Sequence, residues 1–149
     1  MKQEFITLES VSIYAILENA PLLEIPFAAS TISAGFPSPA NDYIETRIDL
    51  NQELIKNPSS TFFARVSGFS MKNIGIEEND ILIIDKSLTL KNNSVAVCCL
   101  DGEFTLKRIS IKKDAIWLIP ENDDFKPIIV TKDNDFIIWG IVTFVIKSV

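Results

Sequence analysis

From residue 61 onward the apolar positions fall in short runs separated by polar or glycine-containing breaks, a rhythm that suits strands rather than helices. The stretch Phe62-Phe63-Ala64-Arg65-Val66 predicts one strand. Ile81-Leu82-Ile83-Ile84-Asp85, introduced by the polar Glu77-Glu78-Asn79-Asp80, predicts a buried second one. Val95 to Leu100 and Glu103 to Ile111 flank Asp101-Gly102, a pair favoured in two-residue hairpin turns, so these residues predict a hairpin. Ala115 to Ile119, Ile128 to Thr131 and Phe136 to Ile146 add further strands, with Gly140 marking a bulge or bend. A short helix opens at Asp49, which can cap it with Gln52 at the capping-box position. Leu50, Leu54 and Ile55 supply its apolar stripe, and Asn57-Pro58 ends it. Sustained strand signals with one good helix predict a mainly β fold of packed, coiled sheets.

Residues 1–34 read differently. Phe5-Ile6, Val11 to Leu17 and Leu22-Leu23-Glu24-Ile25 are too apolar for a solvated tail, yet the stretch is short for an independent core. It is expected to lie across the main body or a second subunit, as helix or strand. Small residues, glycine and prolines then gather in Ser30-Thr31-Ile32-Ser33-Ala34-Gly35-Phe36-Pro37-Ser38-Pro39, a composition that suits a linker.

Length and charge narrow the partners. At 149 residues the chain is large enough for one core without disulfides or metals. A formal charge of -6 argues against holding DNA by net electrostatics, so little direct nucleic-acid binding is expected. Cys98 and Cys99 are adjacent and would point to opposite faces of a strand, which makes a mutual disulfide a poor candidate. With no histidine and no spaced cysteine set, neither a metal site nor another cofactor is expected. No run approaches the ~20 apolar residues of a membrane span, and the N-terminus lacks the pattern of a signal peptide. A cytoplasmic protein is the simplest reading.

The absence of histidine also removes every Ser-His-Asp or Cys-His arrangement. A nucleophilic serine would need another base. Ser70, in Val66-Ser67-Gly68-Phe69-Ser70-Met71, sits on a glycine-containing turn after an apolar run. Lys107 lies inside the strand Phe104-Thr105-Leu106-Lys107-Arg108. Lysine acts as a base only when neutral, and bringing its pKa from ~10.4 to ~7 requires about 4–5 kcal/mol against the charged form. Burial among apolar groups can supply this. Alternation along residues 103–111 would place Thr105, Lys107, Ile109 and Ile111 on one face, leaving Arg108 on the other to stay solvated. Both residue types have plainer uses, the lysine at a solvated strand edge and the serine in an ordinary turn. Met71 is expected to fix the turn by packing.

Ordered motifs carry the reading further. Ala34-Gly35-Phe36-Pro37-Ser38-Pro39-Ala40, Asp42-Tyr43-Ile44-Glu45, Arg47-Ile48-Asp49-Leu50-Asn51, Ser67-Gly68-Phe69-Ser70-Met71 and Asp101-Gly102-Glu103-Phe104-Thr105-Leu106-Lys107 together resemble the UmuD branch of the LexA-type self-cleaving serine peptidases. The likeness runs from about Ala34 to the C-terminus. It implies a LexA/UmuD-type peptidase fold over residues 35–149, with residues 1–34 an N-terminal arm removed by self-cleavage. It further implies Ser70 as nucleophile, Lys107 as general base, Ala34-Gly35 as the bond cut, and backbone N–H groups of Ser70 and Phe69 as the oxyanion hole. Phe69 stands where UmuD proteins often carry an acidic residue, and the arm is longer than in that branch.

The partners implied are a second copy in a homodimer, a RecA filament on single-stranded DNA that stimulates cutting, and a UmuC-like Y-family translesion DNA polymerase served as an accessory subunit. A different class of reading is a non-cleaving interaction protein that regulates such a polymerase. A signal-peptidase relative would use the same dyad but calls for membrane attachment, and no membrane partner is expected.

Overall fold

The computed structural model describes residues 6–8, 11–15, 20–28, 32, 34–36 and 45–149. In chain order the strands are β1 (Ile6–Leu8), β2 (Val11–Ala15), β3 (Glu24–Ala28), β4 (Glu45–Asp49), β5 (Thr61–Val66), β6 (Ile81–Asp85), β7 (Val95–Leu100), β8 (Glu103–Lys112), β9 (Ala115–Ile119), β10 (Ile128–Val130) and β11 (Phe136–Ile146). The helix α1 (Leu50–Leu54) follows β4. Contacts divide the chain into two units, Met1–Leu17 with Asn57–Val149, and Glu18–Lys56.

The larger unit is built on one antiparallel sheet in the order β1-β2-β5-β6-β11-β7-β8-β9-β10 among the described residues. The strands predicted from the apolar runs are present with ends shifted by a residue at most, so the mainly β expectation holds. The open choice between helix and strand for the N-terminal residues is settled where they are described. β1 and β2 form a hairpin, and β2 pairs with β5 from Val11↔Val66 to Ala15↔Phe62. At the β7–β8 turn Asp101 and Gly102 have φ of 51° and 84°, the left-handed pair that a two-residue turn of this hand requires.

Period-2 alternation on β7 and β8 separates two cores. Val97 and Leu106 join Ala64, Val66, Met71, Ile76, Leu82 and Ile84. Ala96, Cys98 and Ile109 point the other way and join Leu118 and Ile141. Both faces of the hairpin are therefore buried, which explains its near-continuous apolar sequence. The two cysteines are free thiols on opposite sides of β7, Cys98 buried and Cys99 half-buried. Asp85, buried at the end of β6, accepts bonds from Asn57 Nδ2 (2.7 Å), Ser60 Oγ (3.2 Å), Ser87 N (2.8 Å) and Ser87 Oγ (2.6 Å). Burial raises its pKa, but the bonds from Ser87, Asn57 and Ser60 outweigh this and hold it below the usual carboxylate value.

The smaller unit pairs β3 with β4 from Glu24↔Asp49 to Ala28↔Glu45. The Asp49 carboxylate caps α1 through Asn51 N (2.7 Å) and ties down Leu23 N (2.8 Å). The expected apolar stripe of α1 is not a buried one. Leu50 is exposed and Leu54 and Ile55 are half-buried, because a helix of five residues is too short to carry a full packing face.

β11 runs between β6 and β7 and its register shifts between Ile138 and Gly140, so the predicted irregularity is a bulge. A Cβ at Gly140 would lie 2.5 Å from Ile84 Cγ2 in the core. Gly140→Ala is expected to destabilise the protein by about 1–3 kcal/mol through overpacking. Urea unfolding should show a lower midpoint with an unchanged slope, and an unshifted midpoint would contradict the close approach.

Candidate functional site

Ser70 is held in a loop that leaves β5 and returns to β6. Its base is closed by Val66 N donating to Asp80 O (2.9 Å) and Asn79 N to Val66 O (2.9 Å). The buried Asp80 carboxylate accepts from Glu77 N (2.9 Å) and from Lys147 Nζ (2.8 Å), so the chain's last residues clamp this base. Bonds to Asp80 and then Glu77 raise the Lys147 pKa, keeping it charged. Gly68 takes φ of 95°, which turns the chain just before the serine. Met71 is buried in the core, as expected of a residue that fixes the turn.

Lys107 arrives from the opposite direction on β8. β9 pairs with β8 only from Arg108 to Lys112, so its cover ends beside Lys107. Lys107 is 8% exposed, opposite Ala96 of β7, whose small side chain leaves room for the long stem. Nζ lies 3.3 Å from Ser70 Oγ, 2.7 Å from Thr105 Oγ1 and 3.0 Å from Leu106 O. Burial drives the Lys107 pKa below the ordinary lysine value, against a smaller opposing effect from Cys98. A neutral amine has two N–H groups and one lone pair. Thr105 Oγ1 and Leu106 O can take the two N–H groups, which leaves the lone pair for the Ser70 hydroxyl proton.

The surroundings of the amine differ in part from the alternation argument. Ile109 is fully buried on the same face, but Ile111 is 42% exposed, because the strand has passed the core by then. Arg108 does not stay solvated. Its guanidinium pairs with Glu121 and donates to Asn93 O (2.8 Å), with both charged side chains about three-quarters covered.

Ser70 and Lys107 are thus brought together. Phe69 is exposed beside them, and the backbone N–H groups of Phe69 and Ser70 donate to no acceptor among the described residues. A small cavity walled by Val66, Met71, Leu82 and Leu106 opens next to Ser70. Ala34 and Gly35 belong to the smaller unit, where residues 34–36 form an exposed bend. Residues 37–40 of the motif, and Asp42-Tyr43-Ile44, lie outside the described residues.

Reasoning from sequence missed Glu121 and Asn122. Glu121 N donates to Ser70 O (2.8 Å), Asn73 N to Glu121 O (2.8 Å), and Asn122 Nδ2 to Phe69 O (2.7 Å). Pro120-Glu121-Asn122 ends a strand and looks like an ordinary turn, so a local signal for this contact 53 residues away is absent. Among the described residues no cluster of three or more His, Cys, Asp or Glu could hold a metal ion, and no helix is long and apolar enough to cross a membrane.

The antiparallel sheet sets a serine hydroxyl beside a buried lysine, an arrangement that suits nucleophilic catalysis. Residues 26–143 match the family described as Peptidase S24-like, and the chain belongs to that family of serine peptidases. The chain is 42% identical over 120 residues to Protein MucA of Salmonella typhimurium, and equally to that of Escherichia coli, covering 80% of this chain and 82% of theirs. It is 36% identical over 122 residues to Protein ImpA of Shigella flexneri, covering 81% and 82%, and 37% identical over 118 residues to Protein SamA of Salmonella typhimurium, covering 79% and 81%. The resemblance drawn from the ordered motifs is upheld.

If burial sets the state of Lys107, one lysine will titrate below the ordinary value of ~10.4 in a 13Cε NMR titration. That resonance should vanish in Lys107→Met. Every lysine titrating together near the ordinary value would contradict the depressed pKa.

Proposed function

We propose that this protein is a self-cleaving Ser/Lys peptidase that cuts its own Ala34–Gly35 bond. The observation that carries the reading is the buried Lys107 Nζ at 3.3 Å from Ser70 Oγ. Membership of a serine peptidase family supports it, as does the match of Ala34-Gly35 to the cleavage motif of the UmuD branch. The chemistry follows from these groups. Neutral Lys107 takes the Ser70 hydroxyl proton as Oγ attacks the Ala34 carbonyl carbon. The oxyanion is stabilised by the backbone N–H groups of Ser70 and Phe69. As the C–N bond breaks, the Lys107 ammonium returns the proton to the departing Gly35 amine. Water, activated by the again neutral amine, hydrolyses the ester and frees Ser70. The products are residues 1–34 and 35–149, the arm and the peptidase-fold domain.

The bend at residues 34–36 has to open, since a substrate peptide is attacked when extended with its carbonyl accessible. Anything that favours the opened conformer raises the rate, and a RecA filament on single-stranded DNA fits this part as a partner. The reading extends, through the same resemblance, to a cytoplasmic homodimer acting in SOS mutagenesis, whose cut form serves a UmuC-like error-prone polymerase.

The pH dependence follows from the sign of the lysine shift. The folded pKa lies below the unfolded one, so the neutral base builds up as pH rises through the folded value, before an exposed lysine would deprotonate. Self-cleavage is expected to accelerate with pH over that range and then level off. Folding stability rises in the same direction, because the unfolded chain binds the extra proton between the two pKa values.

Intact-mass analysis after incubation at alkaline pH, and separately with RecA, single-stranded DNA and a nucleoside triphosphate, tests the reading. Wild type should yield a species beginning at Gly35. Ser70→Ala should yield none, and Lys107→Ala should be slower by about 10²–10⁴-fold. Cutting that survives in Ser70→Ala would refute the nucleophile. Uncut wild type under every condition would favour the non-cleaving interaction protein instead.

A further inference from the structure

The peptide unit joining Phe69 to Ser70 is gripped by its carbonyl. Phe69 O accepts Asn122 Nδ2 at 2.7 Å and Lys72 N at 3.3 Å. Asn122 is only 4% exposed, and its own orientation is set from the other end, where Oδ1 accepts Asp124 N at 3.0 Å. With the oxygen committed to Asp124, the NH₂ group has to face Phe69 O. The next carbonyl, Ser70 O, is held by Glu121 N at 2.8 Å. Both carbonyls that flank the serine's Cα–N and Cα–C bonds are thus tied to the segment after β9.

In a trans peptide the C=O and the following N–H point in opposite directions. Tying Phe69 O to Asn122 therefore aims the Ser70 N–H away from Asn122. A rotation of this one peptide unit would exchange the two, putting a carbonyl oxygen where a donor is required. A carbonyl that accepts a bond also polarises its own N–H, which strengthens that donor.

We propose that Asn122 is a positioning residue that locks the Phe69–Ser70 peptide in the orientation presenting the Ser70 N–H to the oxyanion. The inference rests on Ser70 being the nucleophile of the reaction proposed above. Asn122 touches no reacting atom and acts through the Phe69 carbonyl. It differs in kind from the core residues of the loop, because losing its donor leaves the cavity filled and the Ser70–Lys107 contact in place.

The test is the pH–rate profile of self-cleavage in the full chain for wild type and Asn122→Leu. The leucine is nearly isosteric and adds no charge, but it loses the donor to Phe69 O. The plateau rate is expected to fall by about 10–10²-fold, somewhat less than the loss of a whole oxyanion donor. The midpoint of the alkaline rise should stay where it is, because no charge is added beside Lys107. A folded Asn122→Leu protein that cuts at the wild-type rate overturns the proposal. So does a shift of the midpoint in step with the rate, which would mean that Asn122 merely supports the loop and the dyad together. Should the leucine variant lose its cooperative melt, Asn122→Ser, too short to reach Phe69 O, is read on the same terms. If neither variant folds, Asn122 is a structural residue and the proposal fails. Failure of the underlying reading looks different, since wild type itself would then stay uncut.

Discussion

An amine taken out of water must either give up its charge or find acceptors for every proton, and much of this fold meets that condition at one atom. Lys107 Nζ has three oxygen neighbours, and one of them is the serine hydroxyl. Three oxygens could satisfy an ammonium's three N–H groups as well, so it is the burial that favours the neutral amine, whose lone pair is then free for the hydroxyl proton. The sheet supplies what this requires. Ala96 makes room, Cys98 and Ile109 keep the surroundings apolar, and the end of β9 cover at Arg108 lets the loop carrying Ser70 approach.

The serine side of the contact is fixed by hydrogen bonds more than by apolar packing. Met71 anchors the loop in the core, while Asp80 and Lys147 close its base and Glu121 and Asn122 hold its tip. Arg108 contributes at a distance. By pairing with Glu121 it links the strand that carries Lys107 to the segment that holds Ser70. The two candidate groups are therefore coupled through two routes, one direct and one through the residues after β9.

What could be read in the sequence divides along physical lines. Strands buried on one or both faces announce themselves by apolar runs, and Asp101-Gly102 by the positive φ angles it tolerates, so β5 to β11 and the β7–β8 turn were legible. The pairing of Ser70 with Lys107 was legible only through ordered motifs, since nothing local to either residue requires the other. Asn122 was not legible at all. A side chain that bonds a backbone carbonyl 53 residues away leaves no periodicity and no spacing rule behind it. Alternation misplaced Ile111 because it says which face a residue takes and not how far the core extends along the strand. The apolar stripe marked α1 correctly but not its cover, since a pattern of apolar residues does not say how much lies against it, and here Leu50 is exposed while Leu54 and Ile55 are half-buried.

The β2 strand has a further consequence. Its five residues pair with β5 in the main sheet, although they precede the Ala34–Gly35 bond in the chain. A cut at that bond would break the covalent thread without breaking those hydrogen bonds, so the severed segment would remain as a guest strand. Its departure would be a separate, noncovalent event. Once it leaves, β5 becomes a bare edge with a row of unsatisfied donors and acceptors, able to receive a strand from another molecule. The chemical step and the exposure of a new docking edge would then have separate clocks.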